Sequence, residues 1–172
     1  MKDITLSQFN SIATAEGVIC EAIRLSPKNL HSSKCAVFGY GTCGRTITDY
    51  LKRMYCSVSV AASPDAERAQ AALTADEALD LKACFQSIGE YDFIFNTIPS
   101  IILTKDILSR TKPDAVILDI ASYPGGIDFT AAKELLVTAM ACPGLPGKYA
   151  PLSSAKAIRA SIERAKTEFE RS

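Results

Sequence analysis

The chain lacks an excess of either charge: nineteen acidic and nineteen basic residues balance over 172 positions. That parity argues against a broad electrostatic attraction to nucleic acid or to an anionic membrane surface. No apolar run approaches the ~20 residues needed to span a bilayer. The opening Met1-Lys2-Asp3-Ile4-Thr5 lacks the basic-then-apolar pattern of a secretion signal. A soluble cytoplasmic protein is the resulting expectation, with no membrane and no nucleic acid among its partners. Histidine is nearly absent, with His31 alone, and none of the six cysteines (Cys20, Cys35, Cys43, Cys56, Cys84 and Cys142) belongs to a CxxC pair. Clustered metal ligands are not visible, so no metal site is expected. Without a secretion signal a disulfide framework is not expected either. The cysteines read as small free thiols. Cys43 is the one to watch, because a helix N-terminus can lower a thiol pKa.

What the chain does have is apolar content: 48% of its residues are hydrophobic, enough for the core of one domain. Short apolar runs alternate with helical segments, which predicts an α/β fold with a parallel sheet. The spacing of Ala15, Val18, Ala22 and Leu25 predicts a helix over 12–25, and Ile47, Leu51 and Met54 predict another over 43–55. Strands are expected at 35–38, 57–62, 92–96, 115–120 and 137–141, with a very short one at 77–79. Further helices are expected at 65–73 and 81–88, from a Thr104 cap to Arg110, and after an Asp128 cap. A long terminal helix should begin at Ser153 or Ser154, with Ile158, Ile162, Ala165 and Phe169 on one face. The expected architecture is a single-domain, three-layer, Rossmann-type doubly wound parallel sheet. Residues 1–34 are expected to form a helix and linker packed on it, 35–150 the Rossmann-type core and 151–172 the closing helix.

The most specific local signal is Gly39-Tyr40-Gly41-Thr42-Cys43-Gly44. It is a GxGxxG sequence between a predicted strand and a predicted helix, inside a βαβ unit of the right length. The first glycine permits the tight turn, the second lets backbone approach a pyrophosphate, and the third lets the helix pack closely. Unpaired amides and the positive dipole end of the helix then face the phosphates. The plain alternative is a glycine-rich turn without a ligand. A methyltransferase using adenosylmethionine is a further competitor, because that fold also carries a glycine loop after its first strand.

The end of the second strand should choose between NAD and NADP, since an acidic residue there binds ribose hydroxyls and repels a 2′-phosphate. Here the chain reads Val60-Ala61-Ala62-Ser63-Pro64-Asp65. The expected acidic position falls on neutral Ser63, and Arg68 follows a turn later, which tips the balance toward NADP. Asp65 is the counter-argument: it reads as a helix cap, yet a two-residue shift would restore NAD binding. Arg68 reads equally as a solvated charge.

Three later loops leave strands at the same edge, where ligands of open parallel sheets sit. They are Asn96-Thr97-Ile98-Pro99, Ala121 to Gly126, and Cys142 to Gly147. Asn96 and Thr97 are candidates for the nicotinamide ribose, and Ser122 for the carboxamide or substrate. Ordinary turn chemistry is the alternative for each. No catalytic acid–base pair can be read off. Glu16 and Lys148 are candidates to meet a substrate, although each reads first as a solvated charge, and Asp119 reads as structural.

Taken in order, Asn10-Ser11-Ile12-Ala13-Thr14-Ala15-Glu16-Gly17, the glycine loop, Asn96-Thr97-Ile98-Pro99, Leu118 to Gly126 and Pro143-Gly144-Leu145-Pro146-Gly147 resemble the C-terminal half of the family of dipicolinate synthase A-subunits. The resemblance runs from about Phe9 to the terminal helix. It implies a nicotinamide-dependent dehydrogenase related to the 2-hydroxyacid group, acting in sporulation. Such an enzyme passes a hydride to NAD(P) as dipicolinate forms from a lysine-pathway intermediate, and it works beside a second, flavoprotein-like subunit. Cofactor roles would fall to Gly39, Gly41, Thr42, Cys43, Asn96, Thr97, Ile98, Pro99, Ala121 and Ser122, to which the residues themselves add Tyr40 in the glycine loop and Ser63 and Arg68 after the second strand. Thr14, Glu16 and Gly144 would lie toward the substrate. The sequence departs from the family at Thr42 and Ser63, where basic residues are expected, and at Ala13, where proline is expected. The family's preceding α/β domain is also absent, so a missing domain or partner chain is expected to be needed for turnover. Two other readings stay open: a non-catalytic dinucleotide-binding or subunit-assembly module, which can form a homodimer, and a small oxidoreductase with another substrate.

Overall fold

Short, nearly continuous apolar runs form one six-stranded sheet whose central strands are buried on both faces. The computed structural model describes residues 4–170. The strands are β1 (Lys34–Phe38), β2 (Ser57–Ala61), β3 (Glu77–Leu79), β4 (Phe93–Asn96), β5 (Val116–Asp119) and β6 (Thr138–Ala141). All pair in parallel in the order β3-β2-β1-β4-β5-β6. The chain starts at the middle, winds outward to β3, then crosses back to β4 and winds the other way. That doubly wound order places a topological switch point between β1 and β4. The register aligns Ala61, Phe38, Asn96, Asp119 and Ala141 in one row at the carboxyl ends.

Successive strand residues point to opposite faces, so the sheet carries two cores. Val37, Val58, Phe93, Phe95 and Leu118 pack under α1 (Ile4–Leu25), α2 (Thr42–Arg53) and the short α7 (Leu145–Tyr149). Phe38, Ile94 and Ile117 pack on the other face with Cys84 of α4 (Leu81–Gln86), Ile107 and Leu108 of α5 (Lys105–Leu108), and Ala131 and Ala132 of α6 (Phe129–Glu134). The small α3 (Asp65–Ala71) follows β2. This is the three-layer, doubly wound arrangement that the alternating pattern predicts.

Several details differ from the sequence reading. Helix α1 begins at Ile4 rather than near residue 12, because neither glycine nor proline interrupts 4–16. Its Gly17 is a packing requirement: a Cβ there would lie 2.8 Å from Tyr149 Cδ2 and 3.1 Å from Leu145 Cβ. The stretch read as a loop after β6 contains α7. Thr104 stands at the N-cap of α5 but its side chain makes no capping bond, whereas Asp128 accepts from the Ala131 amide at 2.9 Å. The terminal helix α8 (Pro151–Glu170) starts at a proline, whose fixed φ suits a first helical position. It packs against α1 and α7, yet none of its residues is buried, and Ile158, Ile162 and Phe169 are exposed.

A buried carboxylate locks α7 onto α1. Glu21, 1% exposed, accepts from Lys148 Nζ, from Tyr149 Oη at 2.6 Å and from Arg24 Nε at 2.7 Å. The hydrogen bonds from Lys148 and Tyr149, with a smaller contribution from Arg24, outweigh burial and hold its pKa down to about 2. At the amino end of β4 burial pushes Asp92 up, but bonds from Lys112, the Lys34 amide and Lys28 hold it at about 2 as well. A depressed folded pKa contributes stability that is complete above the unfolded value and is lost as pH falls toward the folded one. For Glu21 that window runs from 4.5 down to about 2. Thermal melts across this range should therefore show the stability gap between the wild type and Glu21→Gln closing as pH falls. A gap that stays constant would show that the Glu21 charge is not what holds α7.

Candidate functional site

The turn from β1 into α2 is shaped by two close approaches. Gly39 has φ +90°, a left-handed conformation that side chains disfavour. A Cβ on it would also lie 2.5 Å from Thr97 Oγ1 and 3.1 Å from Ile98 Cγ1. Thr97 sits there because its Oγ1 donates to the Phe38 carbonyl at 2.8 Å and its amide to the same oxygen at 2.9 Å. A Cβ on Gly44 would collide with the Gly39 carbonyl. Gly41 is different: it is exposed, has an ordinary extended backbone (φ −69°, ψ −169°), and a Cβ there would meet nothing within 4 Å. Gly41 is the N-cap of α2 and has no side chain to offer the helix. The first-turn amides of α2 lack intrahelical acceptors by geometry and end beside an open backbone, at the carboxyl edge beside the switch point.

The neighbouring residues divide into those that line this opening and those that build its walls. Thr42 is exposed and Cys43 half-buried. Burial pushes the Cys43 thiol pKa up, so the expectation of a lowered value is corrected: desolvation outweighs the helix terminus. Tyr40 is buried in the core beneath α2, so its side chain belongs to the wall. Its carbonyl accepts from Arg45 Nε at 2.9 Å, and the guanidinium lies 5.4 Å from its ring centroid. Arg45, which the sequence reading passed over, thereby stands exposed beside the glycine loop. Its signal was available: it follows Thr42 by three residues, on the same helix face.

At the end of β2, Ser63 is exposed. Pro64, not Asp65, occupies the N-cap of α3, so Asp65 is the first helical residue rather than the cap. Arg68 is no free surface charge. Its Nη1 donates to the carbonyls of Ala62 at 2.9 Å and Ser63 at 2.5 Å, and its Nη2 to the Asp65 carboxylate.

At the ends of β4 and β5, Asn96 and Asp119 form a buried pair that ties two loops together. Asn96 Nδ2 donates to Asp119 Oδ1 at 2.8 Å and to the Ile98 carbonyl at 3.0 Å, and Asn96 Oδ1 accepts from the Ile98 amide. Asp119 also accepts from the amides of Ala121 at 3.2 Å and Gly126 at 2.8 Å. Gly125 and Gly126 leave no space for a Cβ beside this pair. The Asn96 side chain, 0% exposed, is thus a brace and not a group offered to a ligand. The same loops leave Ile98 and Ala121 half-buried and Pro99 and Ser122 exposed at the edge.

The remaining candidates separate. Gly144, with φ +65°, is exposed where α7 begins after β6. Thr14 is buried on α1, one turn before Gly17 on the face that meets α7. Glu16 accepts from Tyr50 Oη at 3.3 Å, about 12 Å down α2 from Thr42 at 1.5 Å per residue. Its proposed place near the cleft is corrected accordingly. Lys148 is held by Glu21. Among the described residues, no group of three or more histidine, cysteine, aspartate or glutamate side chains is arranged for a metal ion, and no helix is long and apolar enough to cross a membrane.

Fold and loop together define a Rossmann-type α/β domain with its glycine loop at the switch point. No protein-family model matches the chain. Over 150 residues, 87% of its length, it is 35% identical to the A-subunit of dipicolinate synthase from Bacillus subtilis strain 168, and it covers 50% of that protein. The crystal structure of the same Bacillus subtilis polypeptide superposes with a TM-score of 0.94 at 32% identity, over 99% of this chain and 57% of that one. The Bacillus halodurans counterpart gives 0.90 at 29%, over 93% and 55%. A transhydrogenase from Sinorhizobium meliloti shares the fold, with a TM-score of 0.76 at 20% identity over 94% of this chain and 55% of that one. The chain is similar to the A-subunits of dipicolinate synthase over most of its own length and spans about half the length of those relatives.

Asp119 is the brace on which two of the edge loops depend. Asp119→Ala leaves Asn96 Nδ2 and two loop amides short of an acceptor, so it should cost about 3 kcal/mol in urea unfolding. A loss below about 1 kcal/mol would show that the loops hold their shape without it.

Proposed function

We propose that this chain is the nicotinamide dinucleotide-binding domain of an oxidoreductase of the dipicolinate synthase type. The observation that carries the reading is the open backbone at Gly41, set at the uncapped start of α2 beside the β1–β4 switch point. Amides of Gly41, Thr42 and Cys43 would hold the diphosphate. Thr97, Ile98, Pro99, Ala121 and Ser122 would border the nicotinamide half, and Ser63 the adenosine ribose. The cofactor supplies the hydride chemistry when bound, and the protein positions it. In the whole enzyme that hydride transfer would serve formation of dipicolinate from a lysine-pathway intermediate, in a cytoplasmic protein of sporulation, beside a second subunit.

A second reading, a binding or subunit-assembly module without chemistry of its own, is supported by a specific observation. The two charged side chains considered as meeting a substrate are engaged elsewhere, Lys148 with Glu21 and Glu16 with Tyr50, and the buried Asp119 is taken up by its loops. A further domain, a partner chain or a second copy would then complete the substrate cleft.

Fluorescence titration of the purified chain with NADH and NADPH tests the first reading, and binding of at least one is expected. Gly41→Val should abolish that binding with only a small fall in melting temperature, because a Cβ there meets nothing within 4 Å and the change costs little beyond the N-cap preference for glycine. Gly44→Ala should instead lower the melting temperature, because its methyl group meets backbone. Unchanged affinity in a folded Gly41→Val protein would remove the glycine loop from the site. Turnover of a tetrahydrodipicolinate-type substrate by this chain alone would overturn the view that it needs another domain.

A further inference from the structure

We propose that Asp65, fixed in place by Arg68, makes this domain selective for NAD over NADP, the reverse of what Ser63 and Arg68 suggest in sequence. The inference rests on the dinucleotide reading and deepens it. The β2 end is where an open parallel sheet of this order meets the adenosine ribose. Two groups there can decide for or against a 2′-phosphate, and both are committed. Arg68, the one cation of this turn, spends Nη1 on the carbonyls of Ala62 and Ser63 and Nη2 on Asp65. Its side chain is 27% exposed, folded back along the chain rather than reaching outward. The carboxylate of Asp65 is 93% exposed. It is anchored through one oxygen, Oδ1, which leaves Oδ2 able to accept from a ribose hydroxyl.

The consequence for the two cofactors is opposite in sign. A ribose with free hydroxyls gains an acceptor held at a fixed position. A 2′-phosphate meets a negative charge, and no guanidinium answers it unless Arg68 first gives up three bonds. Ser63 contributes a neutral hydroxyl, which cannot offset the carboxylate. Asp65 is therefore the selecting residue, and Arg68 is a positioning residue that acts through it.

The test is titration of the full chain with NADH, NADPH and ADP-ribose, for the wild type, Asp65→Ser and the double variant Asp65→Ser/Arg68→Ala. The wild type should bind NADH more tightly than NADPH, on the order of tenfold or more. Asp65→Ser removes the carboxylate and releases Arg68, so the ratio should move toward NADPH by at least about tenfold. The double variant should lose that NADPH gain, with equal melting temperatures confirming the fold. A wild type that prefers NADPH, or a ratio unmoved in Asp65→Ser, overturns the inference while leaving the dinucleotide reading intact. Failure of the wild type to bind any of the three ligands overturns the dinucleotide reading, and this inference with it.

Discussion

The carbonyl of Gly39 rests so close to the α-carbon of Gly44 that no methyl group fits between them. That approach lets α2 start directly above β1, and Thr97 closes it from the β4 side through the Phe38 carbonyl. Two strands on opposite sides of the switch point and one helix terminus are thereby fixed to each other through backbone atoms. The opening at Gly41 follows from this arrangement, because the loop is held by its ends and its middle is left uncovered.

The polar groups around this opening follow one pattern: they satisfy one another. Asn96 and Asp119 brace two loops, Arg68 holds Asp65, and Glu21 receives Lys148 and Tyr149. Buried polar groups that found no partner would cost stability. Groups already committed also do not need to reorganise when a ligand arrives, and such preorganisation lowers the cost of binding. The same commitment explains why the edge offers amides and hydroxyls more readily than free charges.

The surface carries a different message. Ile4, Phe9 and Ile12 on α1 and Ile158, Ile162 and Phe169 on α8 are exposed, although their spacing is that of helices with an apolar face. Exposed apolar surface of this kind belongs with interfaces.

The layer order, the six strands and the glycine loop were legible in the residues because each is local. Central strands are short unbroken apolar runs, helices repeat with a period near 3.6, and GxGxxG follows a strand and opens a helix within six residues. Residue pairing across the fold was not legible. Asn96 looked like a ligand group until Asp119, twenty-three positions later, was seen to take its amide. Arg68 looked like a phosphate clamp until three acceptors in its own turn claimed it, and Glu16 left the cleft because α1 lays it beside Tyr50. Sequence alone determined which residues are apolar, flexible or charged, since those properties belong to each residue. The tertiary structure decided which charges remain available, because availability depends on partners that only folding brings within hydrogen-bond reach.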